Sequence, residues 1–429
     1  MALGVSFGAI LLFMLLRMPV TYSFLGGSLI YMALAGLSGG AVASAAFYSL
    51  DSTVLLSIPL FLLGGKLMEI SGIAERLVDL AGRMPRRMKG GMGATIPIAC
   101  MFFGALSGSG TAAVAALGSI MIPRMEKMGW KKSYTAALMA AAGPLGFMIP
   151  PNMTAILYGV MANTSIAALF VSTIIPGFIW CFLYLLINRV LYKRYYQPME
   201  KRMDLQEEML HKKKARESIP ALGMAVLIIG GIYGGFFTAT EAGAVSCVYA
   251  ALVGILYYRT IHLKDLGGSL VASAKEIASI LIIFPVVSIY TRFLVLEGVP
   301  QSVATAMLRL SDNRNVIIFL MVVIFVLAGM FLSSGVITLV LTPLMLPTAR
   351  AIGMDPIQMG VILFVAVGLG SLTPPMAMNL FVAQRVAKIS FREMIGPIMP
   401  FILFGALPIL LLVAYVPQLS LWLPRILIG

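Results

Sequence analysis

The run Gly104-Ala-Leu-Ser107-Gly108-Ser109-Gly110-Thr111 interrupts a long apolar segment with small and hydroxyl residues. Each glycine costs about 1 kcal/mol of helix propensity against alanine, so a continuous helix breaks here. Arg83, Arg86, Arg87 and Lys89 precede the segment, and Arg124, Lys127, Lys131 and Lys132 follow it. Basic residues mark cytoplasmic loops, so both ends lie on one side and the chain enters the membrane and returns. Two full passes would need roughly 40 residues, more than separate Gly90 from Pro123. The pattern predicts a re-entrant helical hairpin over 90–123, with Ser107 to Thr111 as its tip. Irregular backbone at that depth persists only inside protein or along a wet cavity, which makes the tip a candidate binding site.

The pattern returns once, at a constant offset of 224 residues. That offset carries Pro123 to Pro347, Gly129 to Gly353, Ala142 to Ala366 and Leu145-Gly146 to Leu369-Gly370. It also carries Pro150-Pro151 to Pro374-Pro375, Pro176 to Pro400, and the tip residue Ser109 to Ser333. The second copy predicts a hairpin over 316–347, around Gly329-Met-Phe-Leu-Ser333-Ser334-Gly335.

Each hairpin is followed by an interrupted span. Residues 133–162 contain Gly143-Pro144-Leu-Gly146-Phe-Met-Ile149-Pro150-Pro151-Asn152, and residues 357–384 contain Gly368-Leu-Gly370-Ser371-Leu-Thr373-Pro374-Pro375-Met376. Two successive prolines remove two donors and disfavour helix just before them, so both spans are predicted to break near the middle.

Composition places the whole chain in a bilayer: 60% of residues are hydrophobic and only 11% charged. That balance excludes a soluble enzyme and predicts an all-α polytopic membrane protein. The net charge of +14 sits in short loops between apolar spans, where it orients the chain, so no nucleic-acid partner is expected. Cys100, Cys181 and Cys247 fall in apolar segments at no metal-ligand spacing and read as small buried hydrophobes. No cleavable signal is expected, and the chain is assigned to a bacterial inner membrane as a multi-pass protein.

Residues 2–15 read as an interfacial helix or a partial pass. Spans follow at about 18–36 and 51–72, then an amphipathic stretch with Ile73, Leu77, Leu80 and Met84 at helical spacing, expected to lie along the cytoplasmic interface. Lys66 and Glu69, and Lys275 and Glu276, are read as local pairs. The chain divides into a first repeat (1–192), a basic cytoplasmic connection (193–216) and a second repeat (217–429). Five predicted passes separate the hairpins: 133–162, 165–192, 217–237, 240–258 and 268–296. An odd number inverts the second hairpin, in keeping with its nearly neutral flanks at Arg309, Arg314, Arg350, Asp312 and Asp355. Two inverted halves with discontinuous helices are the design of secondary transporters, whose sites lie at the midplane.

Half-helix C-termini and unwound carbonyls suit Na⁺, and half-helix N-termini favour anions. Three other functions compete with that reading. An intramembrane hydrolase would use Ser107 or Ser109 as nucleophile, but His211 and His262 lie in predicted loops, leaving Lys66 or Lys275 as bases. A channel would also use re-entrant loops, usually repeated around an oligomeric axis. A stand-alone ion-coupled anion carrier of related fold is the third.

The sequence resembles the large, dicarboxylate-type M subunit of tripartite ATP-independent periplasmic (TRAP) transporters essentially end to end. The resemblance is carried by Asp51-Ser-Thr-Val-Leu-Leu-Ser-Ile-Pro59-Leu-Phe, the Ser107-to-Thr111 tip, Gly143 to Asn152, Ile174-Ile-Pro-Gly177, Phe237-Thr-Ala-Thr-Glu241-Ala-Gly and Thr373-Pro-Pro-Met-Ala-Met-Asn379-Leu-Phe. It implies Na⁺-driven uptake of a small organic anion by an elevator movement, with two or more sodium ions. It further implies a small four-helix membrane subunit and a periplasmic substrate-binding protein as partners. By resemblance, one sodium site matches Ser107, Ser109, Gly146, Ile149 and Pro151, and the other Ser333, Gly370, Thr373 and Met376. Gly110, Thr111, Asn152, Ser334, Gly335 and Asn379 are the candidate substrate contacts. The chain departs from the family at Ser333, where many members carry an aspartate.

Overall fold

A computed structural model describes residues 1–82, 90–197, 219–261 and 263–428. Arg83 to Lys89, His262 and the part of the basic connection from residue 198 onward, including His211, lie outside the described residues. Every regular element described is helical. The first half comprises α1 (Ala2–Leu15), α2 (Val20–Ala35), α3 (Gly39–Leu50), α4 (Ser57–Ile70), α5 (Ile73–Ala81), α6 (Gly91–Ser107), α7 (Gly110–Lys127), α8 (Lys132–Ala142), α9 (Met153–Ala162) and α10 (Ile166–Tyr195). The second comprises α11 (Ile219–Tyr233), α12 (Ala239–Leu252), α13 (Leu263–Leu296), α14 (Val299–Leu310), α15 (Arg314–Phe331) and α16 (Ser334–Ala351). It continues with α17 (Pro356–Gly370), α18 (Met378–Ala387), α19 (Phe391–Phe401), α20 (Leu407–Tyr415) and α21 (Gln418–Leu427).

Five of the described helical stretches are long and apolar enough to cross a membrane: Ile166–Tyr195, Ala239–Tyr257, Arg314–Phe331, Ser334–Ala351 and Phe391–Tyr415. The helix α3 corresponds to no predicted span; its 12 residues are too few to cross a bilayer. At Glu297–Gly298 the chain bends by 62° into α14.

The chain reverses sharply where the small residues cluster. Gly108 takes a left-handed φ of 60° and its N–H closes α6 on the Gly104 carbonyl at 2.8 Å. An alanine there is strained twice, by that φ and by a Cβ placed 3.0 Å from the Pro151 carbonyl oxygen. The second reversal is built differently: Leu332 and Ser333 are both extended, with no left-handed residue. Ser109 and Ser333 nonetheless occupy the same position, the residue that opens the second arm of each hairpin.

Hydrogen bonds anchor each hairpin at the end opposite its tip. At the first, Asn188 Nδ2 donates to the Gly90 carbonyl at 3.0 Å and Tyr134 Oη donates to Asn188 Oδ1 at 2.9 Å. At the second, Arg314 Nε donates to the Ile352 carbonyl at 3.2 Å. Arg124 Nη1 meets Asp79 Oδ1 at 3.2 Å and so ties α5 to α7.

The core lies around the interrupted spans. Residues Tyr134 to Ala142 of α8 and Gln358 to Gly370 of α17 are buried without exception. The halves exchange partners there: α18 packs on α7 and α8, and α16 packs on α9. The outer helices expose large apolar side chains instead, among them Leu12, Phe47, Phe178, Phe182, Val226 and Phe236. Such a surface fits a hydrocarbon solvent.

Lys66 Nζ lies 2.7 Å from Glu69 Oε2, a local pair as expected. Glu241 closes a capping box with Thr238 at the start of α12. The side chain of Glu276 lies outside the described part of the structure, so its pairing with Lys275 is not described. Cys100 and Cys181 are buried and Cys247 half-buried, all as free thiols.

Candidate functional site

The two chain reversals and the two interrupted spans meet at one cavity of about 250 Å³. Its wall includes the first residues of four helices: Gly110 and Thr111 of α7, Met153 and Thr154 of α9, Ser334 and Gly335 of α16, and Met378 and Asn379 of α18. The leading N–H groups of a helix have no partner within it, and the aligned peptide dipoles leave partial positive charge at that end. Among the described residues of the wall none is Asp, Glu, Lys, Arg or His. Most of the rest is apolar, including Leu55, Ile58, Phe147, Leu157, Leu281 and Phe284. An anion entering this cavity meets helix ends in a setting of low polarity, where their attraction is weakly screened.

Local sequence sets each helix start. Ser109 is extended, and its Oγ accepts from the Ala112 N–H at 3.4 Å and lies 3.2 Å from Thr111 Oγ1. Asn152 starts α9: its Oδ1 accepts from the Thr154 N–H at 2.8 Å, and its Nδ2 donates to the Phe147 carbonyl. At the other interruption Thr373 Oγ1 donates to the Leu369 carbonyl at 2.9 Å, and the Met376 N–H donates to the Met330 carbonyl at 3.2 Å. That last bond joins the second interrupted span to the second hairpin. The peptides Pro150-Pro151 and Pro374-Pro375 are both cis.

Residues 7–419 match the family described as the tripartite ATP-independent periplasmic transporter, DctM component. The chain belongs to this family. It is 34% identical over 421 residues to the isethionate TRAP transporter permease protein DctMQ of Oleidesulfovibrio alaskensis, a match that covers 98% of this chain and 66%, just under two thirds, of that longer protein. It is 33% identical over 401 residues to the C4-dicarboxylate TRAP transporter large permease protein DctM of Pseudomonas aeruginosa, covering 94% and 93% of the two chains. Its fold is similar to that of the Alcanivorax borkumensis YdaH transporter, with a TM-score of 0.61 at 17% identity over 87% and 86% of the chains.

In this permease the residues singled out from sequence fall into two groups. Ser109, Gly110, Thr111, Ser333, Ser334, Gly335 and Asn379 line the cavity. Gly146, Ile149, Pro151, Asn152, Gly370, Thr373 and Met376 are not part of its wall. Asn152 is fully buried with both polar atoms of its carboxamide engaged, which makes it a helix cap rather than a wall residue. Ile149 turns its side chain toward Gly177 of α10. Gly146 and Pro151 remain close to the first tip: a Cβ on Gly146 would lie 3.5 Å from the Ser109 carbonyl oxygen, and one on Gly108 3.0 Å from that of Pro151. Ser107 is the last helical residue of α6, and its side chain lies outside the described part of the structure.

Two hydroxyl-bearing wall residues, Thr154 and Ser371, are not among the candidates read from sequence. Ser371 directly follows the last turn of α17, so a hydroxyl next to a helix break was the available signal. Its Oγ donates to the Gly368 carbonyl at 2.7 Å and accepts from Asn379 Nδ2 at 3.1 Å. Among the described residues no cluster of three or more His, Cys, Asp or Glu gathers as a metal site. Oxygen donors at the tips are hydroxyls and carbonyls, hard ligands that suit an alkali cation.

Proposed function

We propose that this permease subunit imports a small organic anion into the bacterial cytoplasm across the inner membrane, driven by a sodium gradient. The observation that carries this reading is the convergence of four helix N-termini on one cavity with no charged side chain among the described residues of its wall. Helix ends hold an anion by oriented N–H groups, and a wall without lysine or arginine leaves no internal counter-charge. Cotransported sodium would supply it, bound through hydroxyls and carbonyls of the two tips and the adjoining breaks. In this reading Ser107, Ser109, Gly146, Ile149 and Pro151 belong to one sodium site and Ser333, Gly370, Thr373 and Met376 to the other.

The names of the two relatives above point to isethionate and C4-dicarboxylates, a sulfonate and a dicarboxylate, as their cargo, and others in the family are named for sialic acid and ectoine. A carboxylate, sugar acid or sulfonate is the corresponding class here. In this reading residues 1–192 and 217–429 are two inverted repeats, and the packing of α7 on α18 and of α9 on α16 supports their hairpins and broken spans moving together. They move as an elevator against the outer helices. A periplasmic binding protein delivers the anion, and a small four-helix membrane subunit completes the complex.

Reconstitution into liposomes under an imposed sodium gradient tests the proposal. Uptake is expected only when the binding protein and the small subunit are both present. Full uptake by this chain alone would overturn the tripartite reading in favour of a conventional carrier, and ion conductance far above carrier turnover would indicate a channel.

A further inference from the structure

The two asparagines at the helix breaks are not equivalent. Asn152 spends its oxygen on the Thr154 N–H and its nitrogen on the Phe147 carbonyl. Asn379 lines the cavity, is only 1% exposed, and donates from Nδ2 to Ser371 Oγ at 3.1 Å. Its Oδ1 accepts no hydrogen bond from any described residue. The orientation of this carboxamide is fixed by Ser371: that hydroxyl has a single proton, already donated to the Gly368 carbonyl at 2.7 Å, so it can only accept from Asn379. The nitrogen therefore faces Ser371 and the oxygen faces away.

Although it comes from the second interrupted span, Asn379 sits against the first. A Cβ on Gly143 would lie 2.8 Å from Asn379 Nδ2, and a Cβ on Gly110 2.8 Å from the Gly143 carbonyl oxygen. The carboxamide is thus packed over Gly143, next to the first tip. A buried acceptor left unpaired is costly, and a ligand that donates to it recovers that cost.

Resting on the anion-site reading above, we propose that Asn379 Oδ1 accepts a hydrogen bond from a hydroxyl of the transported anion. The permease then selects small hydroxylated organic anions over the same anions lacking the hydroxyl. The helix ends read the charge and Asn379 reads the hydroxyl.

Matched pairs of anions test this in the full-length chain, purified into lipid nanodiscs with sodium. Titration calorimetry compares 2-hydroxyethanesulfonate with ethanesulfonate, and malate with succinate. The hydroxylated member of at least one pair is expected to bind roughly tenfold to a hundredfold more tightly. Asn379→Leu is expected to make the two members of that pair bind equally. Ser371→Ala, which leaves Asn379 in place but frees its carboxamide to turn, narrows the difference and covers the case in which Asn379→Leu fails to fold. Equal binding within both pairs in the unmodified chain, or a preference surviving Asn379→Leu, overturns the proposal while leaving the anion site intact. A shifted sodium dependence in Asn379→Leu with the preference unchanged also overturns it, by assigning Oδ1 to the cation. Absence of binding by all four anions overturns the anion-site reading as well.

Discussion

Gly104 and Gly146 touch backbone to backbone: a Cβ built on Gly104 would fall 2.0 Å from the Gly146 Cα. Gly329 and Gly370 repeat the contact in the second half, where a Cβ on Gly370 would fall 2.4 Å from the Gly329 carbonyl carbon. Each pair presses the first arm of a hairpin against the interrupted span that follows it. Neither partner at these distances is a flexible side chain, so no rotamer change relieves the clash.

The contact is directional, which gives a sharp prediction. A Cβ on Gly146 meets nothing closer than the Gly104 Cα at 3.4 Å. Gly104→Ala is therefore expected to destabilise the protein by at least the 1–3 kcal/mol typical of overpacking, and Gly146→Ala by well under that. Thermal unfolding in detergent checks the order. Equal melting temperatures for the two variants would refute the close approach.

A second prediction concerns Asn188, the buried residue of α10 that ties the mouth of the first hairpin. Asn188→Leu removes a donor to the Gly90 carbonyl and an acceptor from Tyr134 Oη. Each group left unpaired in a buried site costs about 1–3 kcal/mol. Tyr134→Phe removes one partner and leaves Asn188 its bond to Gly90, so it is expected to lose less. Melting curves of both variants decide this, and a milder loss in Asn188→Leu than in Tyr134→Phe would contradict it.

How much of this was legible beforehand follows from the range of the interactions. The break after Ser107 and the interruptions at Pro150-Pro151 and Pro374-Pro375 are local: glycine propensity and missing donors act within a turn. Ser109 and Ser333 could be paired by offset because both open a helix. The capping role of Asn152 has no local signature, because its partner, the Phe147 carbonyl, is presented only once the 3₁₀ turn Gly143–Phe147 has formed. Ser371 was overlooked because its value comes from Asn379, eight residues on and across a chain turn. The exchange of α16 and α18 between halves leaves no periodic trace at all, since it joins elements far apart in sequence.

Topology supplies a third prediction. Asp312 is exposed at the mouth of the second hairpin, and Lys131 is exposed at that of the first. The inverted arrangement puts Asp312 outside and Lys131 inside. Single cysteines at these positions, in a background lacking Cys100, Cys181 and Cys247, are expected to react oppositely with an impermeant maleimide in intact cells. Asp312 is preferable to Asp355 as a probe, because Asp355 Oδ1 accepts from the Ile357 N–H at 2.8 Å and caps α17. Reaction of both positions from the outside would exclude the inverted arrangement.

The last prediction separates the two tips by what their serines do structurally. Ser109 Oγ caps α7, whereas Ser333 makes no side-chain cap at the start of α16. Ser109→Ala therefore has two expected effects: a loss of about 1 kcal/mol of stability from the missing cap, and a weaker sodium site. Loss of a hydrogen-bond-strength ligand to a charged group costs about 1.5–3 kcal/mol, or one to two tenfold steps in the half-saturating sodium concentration. Ser109→Asn restores a capping oxygen without the hydroxyl, so it is expected to recover stability before it recovers sodium affinity. Ser333→Ala is expected to leave stability unchanged and to weaken sodium dependence less, since the second tip has no carboxylate to begin with. Ser333→Asp adds one and is expected to tighten it. Sodium-dependent uptake by the reconstituted complex, measured beside melting temperature for all four variants, tells capping from ligation. A half-saturating concentration that tracks stability alone, or one unmoved in every variant, would remove both serines from the coupling mechanism.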